Sequence, residues 1–415
     1  TLFPYTTLFR SSELRKRIEP WLTALFQSEH LSLLVGSGLM QAIGEIAHCV
    51  DMPAMGKEKF DEFNDSITMA SETTAKSMGR DKSNFEDQIR VANELFVGLS
   101  HYCKESDISK TDFPGKVETL KNNITTKLGG FANSILEGER KIKESSEREK
   151  GFEYLINFLL SPASRAGTRD RLQIFTTNYD RLIEAGAETA GIHLVDRFVG
   201  NLSPIFRSSR LDIDMHYNPP GIRGEPRFLE GVAKITKLHG SIDWINEERD
   251  IRRIGLPFGA ASIEPYLAKG ITPLSMMIYP NSSKDRETAS YPYVDLFRDF
   301  ATSICRPNNT LITYGYGFGD EHINRVIEDM LTIPSTHLVI ISFSDPSGRI
   351  MSTYDKIGRP AQMSLLLGNH LGDLKTLVDQ YIPKPAIDKT TYKMNELLRS
   401  RLGEFSEPDS GKAGD

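Results

Sequence analysis

Residues 31–35 (Leu-Ser-Leu-Leu-Val) form a short apolar run that stops at Gly36-Ser37-Gly38, after which apolar residues recur at helical spacing from 39 to 50. A strand, a tight glycine turn and a helix in that order form the opening unit of a nucleotide-binding α/β fold. Strand-length apolar runs return at 172–176, 234–238, 274–279, 310–314, 337–343 and 363–367, and helical patterns such as 181–190 and 321–331 separate several of them. This alternation predicts an α/β architecture with a Rossmann-like, mainly parallel sheet and helices on both faces. An amphipathic helix is predicted over 13–26, where Leu14, Ile18, Trp21, Leu22 and Leu25 recur every three or four residues.

Between 57 and 165 the pattern changes: charged residues dominate and apolar ones such as Phe85, Ile89, Leu95, Phe96 and Leu99 keep helical spacing. This predicts an all-helical insertion, with further helices near 117–136 and 151–160, that buries helical faces or a subunit contact and carries no chemistry. Its charged stretch 137–150 reads as a solvated helix face or a mobile connector. The α/β domain is then composed of residues 13–56 and 166–385. Residues 201–231, rich in Pro, Arg and Gly, read as a surface excursion. Residues 386–415 are expected to form a C-terminal helix and a disordered tail, and residues 1–12 a non-native or disordered leader.

Composition narrows the function. Hydrophobic residues are 39% and charged residues 26% of the 415 residues, an ordinary globular balance with no apolar run of membrane-spanning length. A formal net charge of −6 argues against direct nucleic-acid binding as the main task. The three cysteines are far apart, with no C-x-x-C pair, which supports neither a disulfide framework nor a four-cysteine zinc site and fits a reducing cytoplasm.

Several strand ends carry polar or glycine-rich chemistry. Gly36 and Gly38 allow backbone N–H groups to approach a phosphate, although alone they are equally a plain turn. Gln41 stands where the dehydrogenase fingerprint has its third glycine, and no acidic residue closes a second strand, which points away from hydride transfer. The run Ile-Phe-Thr-Thr-Asn-Tyr-Asp ending at Asp180 places Thr177 and Asn178 where an apolar strand gives way to a helix. Asp180 suits a helix cap. Asn178 can donate and accept at once, as a ribose hydroxyl or a water requires. The run ending at His239-Gly240 puts an imidazole, which exchanges protons near neutral pH, at another strand terminus. After 310–314, Gly315, Tyr316, Gly317, Phe318 and Gly319 repeat the strand-glycine-helix design, with Asp320 placed to cap the next helix and His322 and Asn324 at exposed helix positions. Residues 342–346 either turn or edge an adenosine pocket.

Taken together, Gly36-Ser37-Gly38, Thr177-Asn178-Tyr179-Asp180, Lys237-Leu238-His239-Gly240-Ser241 and Gly315-Tyr316-Gly317-Phe318 resemble, in this order, the Sir2 family and in particular the Sir2-like domains of bacterial anti-phage systems. The resemblance implies that Asn178 and His239 contact the nicotinamide ribose of NAD+ as catalytic residues. It implies further that Gly36, Ser37, Gly38, Thr177, Gly315, Tyr316, Gly317 and Phe318 bind the dinucleotide. The paired cysteines of the sirtuin zinc module have no counterpart here, so no metal is expected and protein deacylation becomes the weaker alternative. The continuation after Gly38 also departs from the family, leaving the residue that grips the diphosphate unidentified. The implied activity is NAD+ hydrolysis, with homo-oligomerisation and a HerA-like hexameric ATPase as implied partners. A non-catalytic NAD or ADP-ribose sensor is the further alternative.

Overall fold

The computed structural model describes residues 11–49, 52, 56–77, 82–105, 107–108, 111–165, 169–209, 213–217, 227–247, 250–268, 270–278 and 291–384. The tail 386–415 and nearly all of the leader 1–12 lie outside the described residues. Helix α1 (Ser11–Phe26) leads into β1 (His30–Val35) and α2 (Gly38–Ile46). Helices α3 (Asn64–Ser77), α4 (Phe85–Tyr102), α5 (Phe113–Glu144) and α6 (Arg148–Ala163) follow before the chain returns to strand at β2 (Gln173–Thr176). Helix α7 (Leu182–Ala190) and β3 (His193–Val195) come next. Short strands β4 (Phe198–Val199), β5 (Ile205–Phe206), β6 (His216–Tyr217) and β7 (Arg227–Phe228) precede β8 (Val232–Lys237), β9 (Trp244–Glu247) and β10 (Asp250–Arg253). The last third alternates α8 (Tyr293–Ile304), β11 (Asn309–Tyr314), α9 (Glu321–Leu331), β12 (His337–Ser342), α10 (Arg349–Ile357) and β13 (Met363–Leu367).

Seven strands form one sheet in the order β13-β12-β11-β1-β2-β8-β3, and every pairing in it is parallel. The strands are apolar on both sides because both sides are covered. Leu33, Val35, Ile174, Ile235 and Ile312 pack with α1, α2, α6 and α7. Their alternating neighbours Leu34, Phe175 and Leu311 pack with α8, α9 and Ile350 of α10. Helix α6 therefore belongs to the sheet, whereas α3, α4 and α5 build a separate core against the segments that follow β2 and β8, including Tyr179, Ile242 and Ile245. No described helix is long and apolar enough to cross a membrane.

Three expectations change. Residues 274–279 are not a strand within the described part: Pro273–Ser275 form a 3-10 turn, and Met276 makes an isolated bridge to Ile245. Their apolar run reflects burial of Met276 and Ile278 under the helices, which needs no strand ladder. The charged stretch 137–150 is neither solvated throughout nor merely a connector, because α5 runs to Glu144 with Gly138, Glu139 and Ile142 buried. The excursion at 201–231, where described, folds back: β5 joins β4, β10 and β9 in a small antiparallel sheet, and Phe206 is fully buried. Residues 210–212 and 218–226 of that excursion lie outside the described residues.

Candidate active site

The chain runs from β1 outward to β2 and β8, then crosses back to place β11 on the other side of β1. In an open parallel sheet this reversal leaves a crevice at the carboxyl ends of the strands, where ligands bind. Both glycine turns lie there. The Gly36 N–H donates to Tyr314 O at 3.0 Å and the Gly38 N–H to Gly315 O at 3.1 Å. A Cβ on Gly36 would lie 2.4 Å from Gly315 O, and one on Gly38 would lie 2.6 Å from Gly315 Cα. Only glycine allows these backbones to approach so closely. Ser37 is exposed at the start of α2, and its hydroxyl makes no cap bond.

Asn178 hangs from this turn. Thr176 Oγ1 donates to Val35 O at 2.9 Å and accepts from the Asn178 N–H at 3.0 Å, while Asn178 Nδ2 donates to Gly36 O at 3.1 Å. Thr177 is half-buried, its N–H on Val35 O at 3.3 Å. Thr176 and Lys237 are register partners on the neighbouring strands β2 and β8. Asn178 and His239 thus each stand two residues past a paired position, at the same end of the sheet. The Tyr179 carbonyl ties the two ends together, accepting from Ser241 Oγ at 3.3 Å and the Ile242 N–H at 3.2 Å. The Tyr179 and His239 rings are 6.4 Å apart.

His239 turns into the crevice on Gly240, whose φ of +89° favours glycine and where a Cβ would meet Met277 O at 2.1 Å. His239 Nε2 lies 2.8 Å from Asp320 Oδ2, so the imidazole from β8 meets the N-cap of α9 across the crevice. Asn178, His239 and Asp320 are 8%, 9% and 5% exposed: all three are nearly out of solvent, yet each has a partner. Burial also pushes the Asp180 carboxyl up to about 6, against the pull of the nearby Lys237 ammonium. Asp180 Oδ1 accepts from the Leu182 N–H at 3.0 Å, so its side chain serves the first residue of α7 from one position before the N-cap, which is Arg181 rather than Asp180 itself.

The second glycine turn contributes backbone rather than rings. Tyr316 and Phe318 are buried in the α8–α9 core, their rings 4.8 Å apart. Asn324 proves to be half-buried instead of exposed, because Tyr316 OH donates to its Oδ1 at 3.1 Å and its Nδ2 donates to Phe318 O at 3.0 Å. His322 is likewise half-buried. Residues 342–346 form a turn in which Asp345 accepts from the Ile350 and Met351 N–H groups at 2.8 and 3.2 Å, fixing the start of α10. Arg349 at that start overlies the glycine turn: Cβ atoms built on Gly317 and Gly319 would lie 3.3 and 3.1 Å from its guanidinium nitrogens. Nothing in the spacing of the sequence singled out Arg349, since it sits outside every glycine motif.

Residues 172–358 match the SIR2-like domain family model. No curated protein matches the chain. The SIR2-like segment begins beside β2 and ends just past α10, so it contains Asn178, His239, the second glycine turn, Asp320 and Arg349. The β1 turn and the helices α3–α6 lie before it. A SIR2-like domain fits NAD-related enzyme activity and implies NAD binding. The residues present suit that ligand. The Gly36 and Gly38 N–H groups are spent on holding the two turns together and that of Gly315 on Ile341 O, so the glycines serve the close approach of the backbones. Arg349 adds a cation beside the second turn, and the amide of Asn178 and the imidazole of His239 can hydrogen-bond sugar hydroxyls. Among the described residues, no group of three or more His, Cys, Asp or Glu side chains is placed to hold a metal ion.

The helical segment also reaches this site. A capping box at Asn84 and Asp87 starts α4 and fixes Glu86 in its first turn, where Glu86 Oε1 accepts from Tyr179 OH at 3.1 Å. Burial and the Glu86 carboxylate hold the Tyr179 phenol well above its ordinary range. From α5, Glu139 is fully buried and accepts the Arg181 N–H at 2.8 Å and its guanidinium at 2.6 and 3.2 Å. Both residues flanking Asp180 are therefore held by carboxylates from outside the SIR2-like segment.

Proposed function

We propose that this chain is an NAD+ glycohydrolase that cleaves the nicotinamide–ribose bond, with nicotinamide and ADP-ribose as products. The observation that carries this reading is the placement of Asn178 and His239 at the same end of neighbouring strands, beside the glycine turns at the reversal of the sheet. The nicotinamide of NAD+ is cationic and takes the bonding electron pair as it leaves neutral, so the departure needs no general acid. Water adds to the anomeric carbon and loses a proton. The work left to the protein is to orient the ribose, stabilise the developing positive charge and position the water. Asn178 positions the sugar or water, and His239 binds the ribose hydroxyls or takes up the proton. Arg349 and the backbone of the Gly36–Gly38 and Gly315–Phe318 turns hold the diphosphate.

The setting proposed for this activity, from the likeness of the motifs to anti-phage Sir2-like domains, is depletion of NAD+ by a homo-oligomer acting beside a HerA-like ATPase. The test is NAD+ consumption and nicotinamide release by the purified chain, alone and with a HerA-like ATPase added. Asn178→Ala and His239→Ala are expected to lower turnover about 100- to 10,000-fold without unfolding the protein. Undiminished turnover in both folded variants would reject the assignment. Nicotinamide release that depends on an acylated peptide would replace hydrolysis by deacylation.

A further inference from the structure

We infer that Asp320 is the positioning residue for His239, selecting the tautomer that leaves Nδ1 as the acceptor nitrogen of the ring. The role rests on the glycohydrolase reading of the site; the geometry stands apart from it. Asp320 is 5% exposed and its two carboxylate oxygens do different work. Oδ1 accepts from the His322 N–H at 3.2 Å and caps α9, while Oδ2 lies 2.8 Å from His239 Nε2. An ionised carboxylate only accepts, so Nε2 carries the proton and Nδ1 keeps its lone pair in the neutral imidazole. The pair also ties the end of β8 to the helix that follows the second glycine turn, where Tyr316 OH donates to Asp320 O at 3.3 Å. Tyr179 with its partner Glu86 and with Tyr293 near it, and Tyr316 with the Arg349 cation near it, stand around the pair.

The cap makes the inference testable with a substitution that preserves the fold. In Asp320→Asn, the asparagine serves the helix as well as aspartate does, provided its oxygen faces the His322 N–H. Its amide nitrogen then faces His239 Nε2 as a donor and forces the proton onto Nδ1, as an asparagine does to the histidine of a serine-protease triad. Asp320→Ser keeps the cap and removes the contact without supplying a donor.

The experiment uses the full chain labelled with 15N in its histidine rings, with His239→Gln serving only to assign the His239 signals. The expected result is an Nε2-protonated ring in the wild type, an Nδ1-protonated ring in D320N, and unchanged thermal unfolding in D320N and D320S. NAD+ turnover falls roughly 100-fold or more in both variants with little change in NAD+ affinity. The same tautomer in wild type and D320N, or full turnover in either variant, overturns the inference. If the tautomer switches but the wild type consumes no NAD+ with or without the ATPase, the positioning role stands and the hydrolase reading falls.

Discussion

The parallel sheet and the helices α3–α5 meet at the same end of the molecule by opposite means. The sheet delivers the site through backbone: Gly36, Gly38 and Gly315 interlock, and Asn178 hangs from a carbonyl of that turn. The helices deliver carboxylates, half-buried Glu86 to Tyr179 and fully buried Glu139 to Arg181, on either side of Asp180. A backbone scaffold is set by hydrogen bonds that nearly any side chain permits, glycine positions apart. The buried Glu139 carboxylate must instead be compensated by specific donors, the Arg181 N–H and guanidinium and the Gly259 N–H at 3.0 Å. The helical region, which looks like structural packing in the sequence, is the part through which a single side-chain change reaches the site most directly.

Glu139→Ala tests this most severely, because it strands the Arg181 guanidinium in a buried site. The expected cost is about 3–5 kcal/mol in urea unfolding, with NAD+ turnover falling alongside it. A loss below about 1 kcal/mol, the value of an ordinary exposed pair, would show that α5 is not fastened to the site by this bond.

Asp180 sharpens the sheet side of the comparison. Its folded pKa of about 6 lies above the ordinary 3.8, so the native carboxyl keeps its proton in a range where the unfolded one has lost it. Stability from this group is therefore fully present below the unfolded value and is lost as pH rises toward and through about 6. Asp180→Asn keeps the bond from the Leu182 N–H but cannot ionise. The wild type should lose about 2–3 kcal/mol relative to this variant between pH 4 and pH 7. A difference that stays constant over that range contradicts the assignment.

The smallest effect belongs to Tyr179→Phe, which removes the hydroxyl bonded to Glu86 but keeps the ring against Phe131. About 1 kcal/mol of stability should go, measured by thermal unfolding. The same loss in an Asn84→Ala background would separate the tyrosine bond from the α4 capping box. A double-variant loss smaller than the sum of the two singles would instead show that the cap positions Glu86 for Tyr179, because Asn84→Ala would already have forfeited part of that bond.

Strand periodicity made much of the sheet readable, and α9 was legible to the residue. Helices α8 and α10 fall outside the predicted elements, α3 lies inside the predicted all-helical insertion, and 274–279 imitates a strand because buried apolar runs look alike whether or not a ladder forms. In the site, the glycine turns, Asn178 and His239 could be picked out because each ends an apolar run. Asp320 could be seen only as a cap, since its second oxygen serves a histidine 81 positions away. Arg349 carried no signal because the turn beside it begins more than thirty residues earlier in the sequence.

By itself the sequence determined that the chain folds as an α/β sheet with glycine turns and polar strand ends, because hydrophobic period and glycine conformational freedom act over a few residues. Only the tertiary structure decided which strand lies beside which, that His239 faces Asp320, and that carboxylates from distant helices brace Tyr179 and Arg181. Those pairings compensate the burial of polar groups, and such compensation is a property of neighbours in space rather than of neighbours in sequence.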